Sequence, residues 1–462
     1  MPRSRPAIRA FSAAAFPIAF ASAVFIAAVG LPSTDSDTYW QLASGRWMLD
    51  HGELLRRDVF SATITGAPLG IGEWLGQLVF AAAFAAGGWA GVVVLRSLLV
   101  AIAGFFVARL AHRGGIPWWI SLPLSAGALL VSRITWTDRP QLFTLALVPA
   151  LLDLLLTLPG GWSRRLLVLP PLFAVWASIH GGYLLGLIVL AIFALHSLIA
   201  DGRRALPLAA ITIASAAFTF LSPAPLEIAG AAIGVAPPRF IAEYFATDVL
   251  SPAGAIFAAY LLAILGTALL RGGTLLEAML LPPLLYLGLS AQRHMVFFVI
   301  AAIPFLAPRL RSLVARDRRA PALPAAVATG LAAVLLVAAL ASAPAAPAAP
   351  DVGFYPAGAL ATLRSGSGVL LNEYDWGGYL IFNLPERPVF IDGRYVPYLG
   401  GVLDDYRALV GLHPGWRDLL DRYRVSEVVL RMARPLAVAL REDGWTVRAA
   451  DPDGRWIVLG RP

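Results

Sequence analysis

The sequence contains no cysteine and no lysine. Without cysteine there can be no disulfide, no thiolate metal site and no thiol nucleophile. Without lysine there is no Schiff-base amine and no Walker A loop, which needs Gly-Lys before Ser or Thr. That argues against an ATP-driven pump within this one chain. Charge of any kind is scarce: 14% of the 462 residues are charged, against 58% hydrophobic. A soluble protein carries about a quarter charged residues, so lipid must solvate much of this chain. The formal net charge is +8. Its arginines sit in short groups between apolar runs, where membrane topology puts them, and form no basic patch for nucleic acid.

Apolar stretches near the length of a bilayer crossing, about 17–25 residues, recur with polar or Pro/Gly breaks. The first follows Arg3, Arg5 and Arg9 and runs from about Ala10 to Leu31. It is longer than the core of a signal peptide and reads as a retained span. Later spans are expected to start near Gly91, Ile116, Pro140, Leu166, Tyr183, Leu206, Ala253, Thr274, His294 and Ala322. Between the first and second, residues 32–90 form a long loop. Its end, from Trp74, reads as an interfacial helix.

Arginine then collects in alternate loops: Arg109 and Arg113, Arg164 and Arg165, Arg203 and Arg204, Arg271, and Arg309 through Arg319. The positive-inside rule makes these loops and the N-terminus cytoplasmic. About eleven spans result. An odd number places the C-terminal domain outside, as expected for a multi-pass protein of a bacterial inner membrane.

Ala341 to Pro350 is an Ala/Pro spacer marking a boundary between a membrane domain, 1–344, and a soluble domain, 345–462. In the latter, Gly368–Leu371, Pro388–Asp392, Ser426–Leu430 and Trp456–Leu459 read as strands and Trp416–Tyr423 as a helix. The fold class is an α-helical polytopic membrane protein with a small extracytoplasmic α/β domain.

With that topology, carboxylates, arginines, histidines and aromatics from separate loops gather at the outer membrane surface. They include Asp35, Asp37, Trp40, Arg46, Glu73 and Trp74 in the first loop, then Arg133, Asp138 and Arg139. Beyond these come His180 and Tyr183, Arg239 with Glu243 and Tyr244, and Arg293 with His294. Arg holds phosphate in a bidentate grip, a carboxylate can take a proton from a hydroxyl, and aromatics stack on sugar rings. Asp35 and Asp37 are also a candidate pair for Mg²⁺ or Mn²⁺. Each signal has a plainer reading. Asp35-Ser-Asp37 is also a helix start, Trp and Tyr are belt residues, and His180-Gly-Gly is also a tight turn.

The stretch Asp37-Thr-Tyr-Trp-Gln-Leu-Ala-Ser-Gly-Arg46-Trp-Met-Leu-Asp-His-Gly52 after the first span resembles the GT-C superfamily of polytopic glycosyltransferases. Protein O-mannosyltransferases and lipid A aminoarabinose transferases belong to it. The likeness continues through Glu73-Trp74-Leu75 and Gly88 to Arg96. It extends more weakly through Arg133…Asp138-Arg139, Tyr374-Asp-Trp-Gly-Gly-Tyr379 and Asp392-Gly-Arg394. It implies transfer of a sugar from a polyprenyl-phosphate donor to an extracytoplasmic hydroxyl of a glycan, lipid or protein.

Asp37 would then be the base, with Asp35 as the alternative. Arg133, Arg139, Arg293 and His294 would hold the donor phosphate. Trp40, Arg46, Glu73, Trp74, Asp138, His180 and Tyr183 would contact substrate. The rival classes are a transporter or lipid flippase, for which matching halves and mid-span charges would be expected, and a membrane-tethered scaffold, which leaves the first-loop carboxylates unexplained.

Overall fold

A computed structural model describes residues 6–157, 163–224, 244–314 and 325–462. The chain forms two compact units. Met1–Leu31 joins Ala90–Pro347 in one, and Pro32–Trp89 joins Ala348–Pro462 in the other.

The first unit is helical. Among the described residues, five helices are long and apolar enough to cross a membrane: Trp74–Gly115, Tyr183–Leu221, Pro252–Arg271, Gln292–Leu313 and Val327–Ala345. The helix beginning at Trp74 is broken at Gly87 and Gly88, whose φ of −148° and +58° lie outside the helical region. The break falls where the interfacial stretch was expected to give way to the second span. Helices also begin near the other expected starts, but many are short. Leu169–Ile179 has 11 residues and rises about 16 Å, roughly half the hydrocarbon thickness. The expected start near Ala322 lies outside the described residues, and that helix is described from Ala325.

Met295–Val314 packs against Trp118–Ser132, Pro252–Arg271 and Leu275–Ser290, and its apolar window is the most enclosed of the five. A buried charge is tolerated in such a bundle only when paired. Arg309 makes a two-pronged ion pair with Glu277, Nη1 to Oε1 at 2.7 Å, and Glu277 also closes a capping box with Thr274. Arg96, almost fully buried, pairs with Asp138 at 3.2 Å. Its other terminal nitrogen donates to the carbonyls of Ala28 and Leu31, capping the end of the first helix.

The second unit is built on a four-stranded sheet in the order β1 (Val369–Asn372), β2 (Val425–Arg431), β4 (Trp456–Gly460), β3 (Thr446–Ala450). β1 and β2 are parallel, and the remaining pairs are antiparallel. Side chains alternate across the central strands. Leu371, Val428, Leu430, Ile457 and Leu459 enter one core, with Leu409, Trp416 and Leu440 from the helices Val402–Val410, Trp416–Arg422 and Pro435–Glu442. Leu370, Val429 and Val458 enter the other, with Leu380 of Gly377–Asn383 and Tyr39 and Ala43 of Ser36–His51. The period-two pattern thus needs cover on both faces, and the helix following the first span supplies part of it.

Pro388–Asp392, expected as a strand, forms only single bridges from Val389 to Ser61 and to Leu370. Two causes are visible. Pro388 has no N–H to give. The buried Asn372 side chain takes the Phe390 N–H and donates to the Ile391 carbonyl, each at 2.8 Å, replacing a backbone ladder. Residues 60–63 line the other side through Ala62 N–H to Val389 O, Val389 N–H to Phe60 O, and Thr63 Oγ1 to Phe390 O.

Candidate functional site

Asp35 is the N-cap of Ser36–His51, and its Oδ1 accepts the Asp37 N–H at 2.8 Å. Asp37 lies in the first turn, where a negative charge favours the helix dipole. Its Oδ1 accepts the indole N–H of Trp40 at 3.0 Å. Both carboxylates are half-buried, so they are held in place yet reached by water. Farther along the helix, Gln41 donates to Glu73 Oε2 at 3.0 Å, and the Arg46 guanidinium lies over the Phe382 ring at 4.3 Å. Tyr39 meets Trp89, Tyr355, Tyr379 and Phe382 edge-on. Trp74 begins the next helix and is also half-buried.

The C-terminal motifs meet this helix start. Gly393 lies directly against the Asp37 carboxylate, and Gly378 against the Ser36 carbonyl and Trp40. Beside Gly393, Asp392 is fully buried and accepts from Arg394 Nε at 2.7 Å and from its Nη2 at 2.6 Å. The other end of Arg394 meets Asp58 Oδ2 at 2.7 Å, a charge contact off the hydrogen-bonding direction. Asp58 Oδ1 is itself held by the N–H and hydroxyl of Ser61. Burial pushes the Arg394 pKa down, but Asp392 and Asp58 outweigh it and the net shift is upward. Tyr398 donates to Asp392, and burial followed by the Asp392 charge pushes its phenol well above the usual range.

A second ionic group stands beside the first. Glu373, fully buried, accepts from the Arg431 backbone N–H at 3.0 Å and from Arg434 Nε at 2.9 Å, and Arg431 also reaches Asp375 at 2.9 Å. Tyr374 between these groups is raised first by burial and then by Asp37, Asp392 and Asp375. The residues around the helix start are therefore rich in carboxylates, with Arg394, Arg431 and Arg434 balancing the buried ones. Among the described residues, no group of three or more His, Asp or Glu side chains is placed to hold a metal ion. A cation on Asp35 and Asp37 would need substrate oxygens to complete its shell.

The remaining candidates lie in the membrane unit. Arg133 is exposed, with its guanidinium 5.5 Å from the Trp136 ring. Arg139 Nε donates to Thr137 at 3.1 Å, while Asp138 is buried against Arg96. His180 Nδ1 accepts the Gly182 N–H at 2.9 Å and meets the Thr144 hydroxyl at the same distance. It thus makes a tight turn before Tyr183, the buried first residue of the next helix. Arg293 lies over Tyr244 at 3.9 Å and donates to His294 at 3.3 Å. Arg239 and Glu243 lie outside the described residues.

No protein-family profile matches the sequence, and no curated protein matches it. Solved structures do. The archaeal oligosaccharyltransferase AglB of Archaeoglobus fulgidus, in complex with an inhibitory peptide and a dolichol-phosphate, matches with a TM-score of 0.60 at 11% identity, over 96% of this chain and 74% of that one. ArnT of Cupriavidus metallidurans in the apo state matches at 0.53 and 14%, over 95% of each chain. The chain has the GT-C fold. An apo oligosaccharyltransferase of A. fulgidus matches at 0.55 and 12%, over 89% of this chain and 69% of that one. Sequence reasoning named the Asp392-Gly-Arg394 and Gly-Gly-Tyr379 motifs without a role for them. Three glycines flanked by charge, in a domain otherwise read as plain α/β, were the available signal.

Proposed function

We propose that this protein is a membrane glycosyltransferase that moves a sugar from a polyprenyl-phosphate donor to an acceptor hydroxyl outside the cytoplasm. The observation that carries the reading is Asp37: a half-buried carboxylate, fixed by an indole N–H, at the start of the helix after the first span. The shared fold with an oligosaccharyltransferase and ArnT supports it.

In the reaction, Asp37 takes the acceptor O–H proton as the oxygen attacks the anomeric carbon. The bond from that carbon to the phosphate oxygen breaks, and both its electrons leave with the lipid phosphate. A phosphate needs no general acid to depart. Arg133, Arg139 and Arg293, with His294, are the membrane-unit candidates for gripping phosphate. Trp40, Arg46, Glu73 and Trp74 offer aromatic and polar contacts for sugar or acceptor. Purified protein in lipid nanodiscs should transfer label from one of a panel of polyprenyl-phosphate sugars to an envelope acceptor fraction. Absence of transfer from every donor, with the protein folded, would remove the proposal.

A further inference from the structure

We infer that Gly393 is a positioning residue for Asp37, and that the C-terminal Asp392-Gly393-Arg394 turn serves to set the reach of that carboxylate. The inference rests on Asp37 being the base. A Cβ on Gly393 would fall on Asp37 Oδ1, with Trp40 Nε1 only 3.4 Å away. The backbone of Gly393 therefore packs on the hydrogen bond that orients the carboxylate. Its φ is not in the left-handed region, so glycine is required here for space and not for conformation.

The turn cannot retreat from Asp37. Asp392 and Asp58 grip Arg394 from two sides, and Asn372 fixes the two preceding residues. The helix start cannot retreat either, because Gly378 abuts it: a Cβ there would come within 2.7 Å of the Ser36 carbonyl. A rigid surround of this kind is what a precisely placed proton acceptor needs. The softest member is the Asp37 side chain, so an added methyl at 393 should displace the carboxylate first.

Gly393→Ala should lower kcat on the order of 10- to 100-fold with donor KM unchanged, as expected for a displacement of about 1 Å at a reacting group. In an Asp37→Asn background the same change should cost nothing further, because both act through one group. Trp40→Phe removes the indole donor without crowding. It should move the acidic limb of the kcat/KM profile to higher pH, since a carboxylate deprived of a donor holds its proton longer. Gly393→Ala with parental kcat would overturn the inference. So would an equal loss in both backgrounds, or an acidic limb unmoved by Trp40→Phe should Gly393→Ala fail to fold. Parental turnover in Asp37→Asn alone would instead sink the base assignment.

Discussion

Replacing Asp37 with Asn separates chemistry from folding. The amide keeps the shape, and its carbonyl can still accept the Trp40 indole N–H now 3.0 Å from Oδ1. What is lost is the basic site and one negative charge in the first helical turn. The charge is worth about 0.3–1 kcal/mol at a helix start, so the melting temperature should fall by no more than a few degrees. Loss of general-base assistance should lower turnover on the order of 10²–10⁴-fold, or about 2.7–5.5 kcal/mol of barrier. Asp35→Asn is the control within the same loop. Asn caps helices about as well as Asp, so the cap on the Asp37 N–H should survive and turnover should fall far less. Both variants should be compared with the parent at matched membrane expression, with and without a chelator. Parental turnover in Asp37→Asn would refute the reasoning. Loss in both, restored by added Mn²⁺ or Mg²⁺, would make the pair a metal site and not a base with its support.

Arg394→Ala leaves Asp392 and Asp58 facing each other in the interior. It should destabilise the second unit by about 3–5 kcal/mol, seen as protease sensitivity of residues 348–462, while Arg394→Lys recovers only part because the planar fork is gone. Alanine at Arg133, Arg139 or Arg293 should raise the KM for donor, and three variants with parental donor kinetics would withdraw all three from phosphate binding. Tyr39, Tyr355, Tyr374, Tyr398 and Tyr406 have phenol pKa values raised by burial first and by neighbouring charges second. Their folded values exceed the unfolded value of about 10, so the stability they confer is complete below that pH and lost as pH rises above it. Tyrosinate absorbance from the buried set should therefore appear only with unfolding. The arginine pattern predicts an outside C-terminal domain, so a periplasm-active reporter fused after Pro462 should be functional. Activity of a reporter that works only in the cytoplasm would reverse the topology.

Composition alone told of a membrane protein. Apolar runs located the helices well, but hydropathy measures where lipid or core is favoured and not how long a straight helix runs. Leu169–Ile179 was therefore legible as apolar and not as short. The pairing of residues 32–89 with the C-terminal unit was not legible. It depends on Tyr39 and Ala43 covering one face of a sheet more than three hundred residues away, and no local period encodes such a partner. The same holds for the site. Asp35 and Asp37 could be picked out by their place after the first span. Nothing local to Asp58 names its partner, and only the fold reveals that it and Asp392 share Arg394. Among the substrate candidates, Asp138 reads from the sequence as a span-end residue, and the fold buries it against Arg96 inside the bundle.

The most direct test follows the lipid phosphate itself. Purified parent protein in proteoliposomes, given a polyprenyl-phosphate sugar and an acceptor, should release the free polyprenyl phosphate in step with glycosylated acceptor. The Asp37→Asn protein should bind the donor but release almost none. Movement of the intact donor across the bilayer with the sugar–phosphate bond unbroken, equally in parent and variant, would contradict glycosyl transfer and identify a flippase.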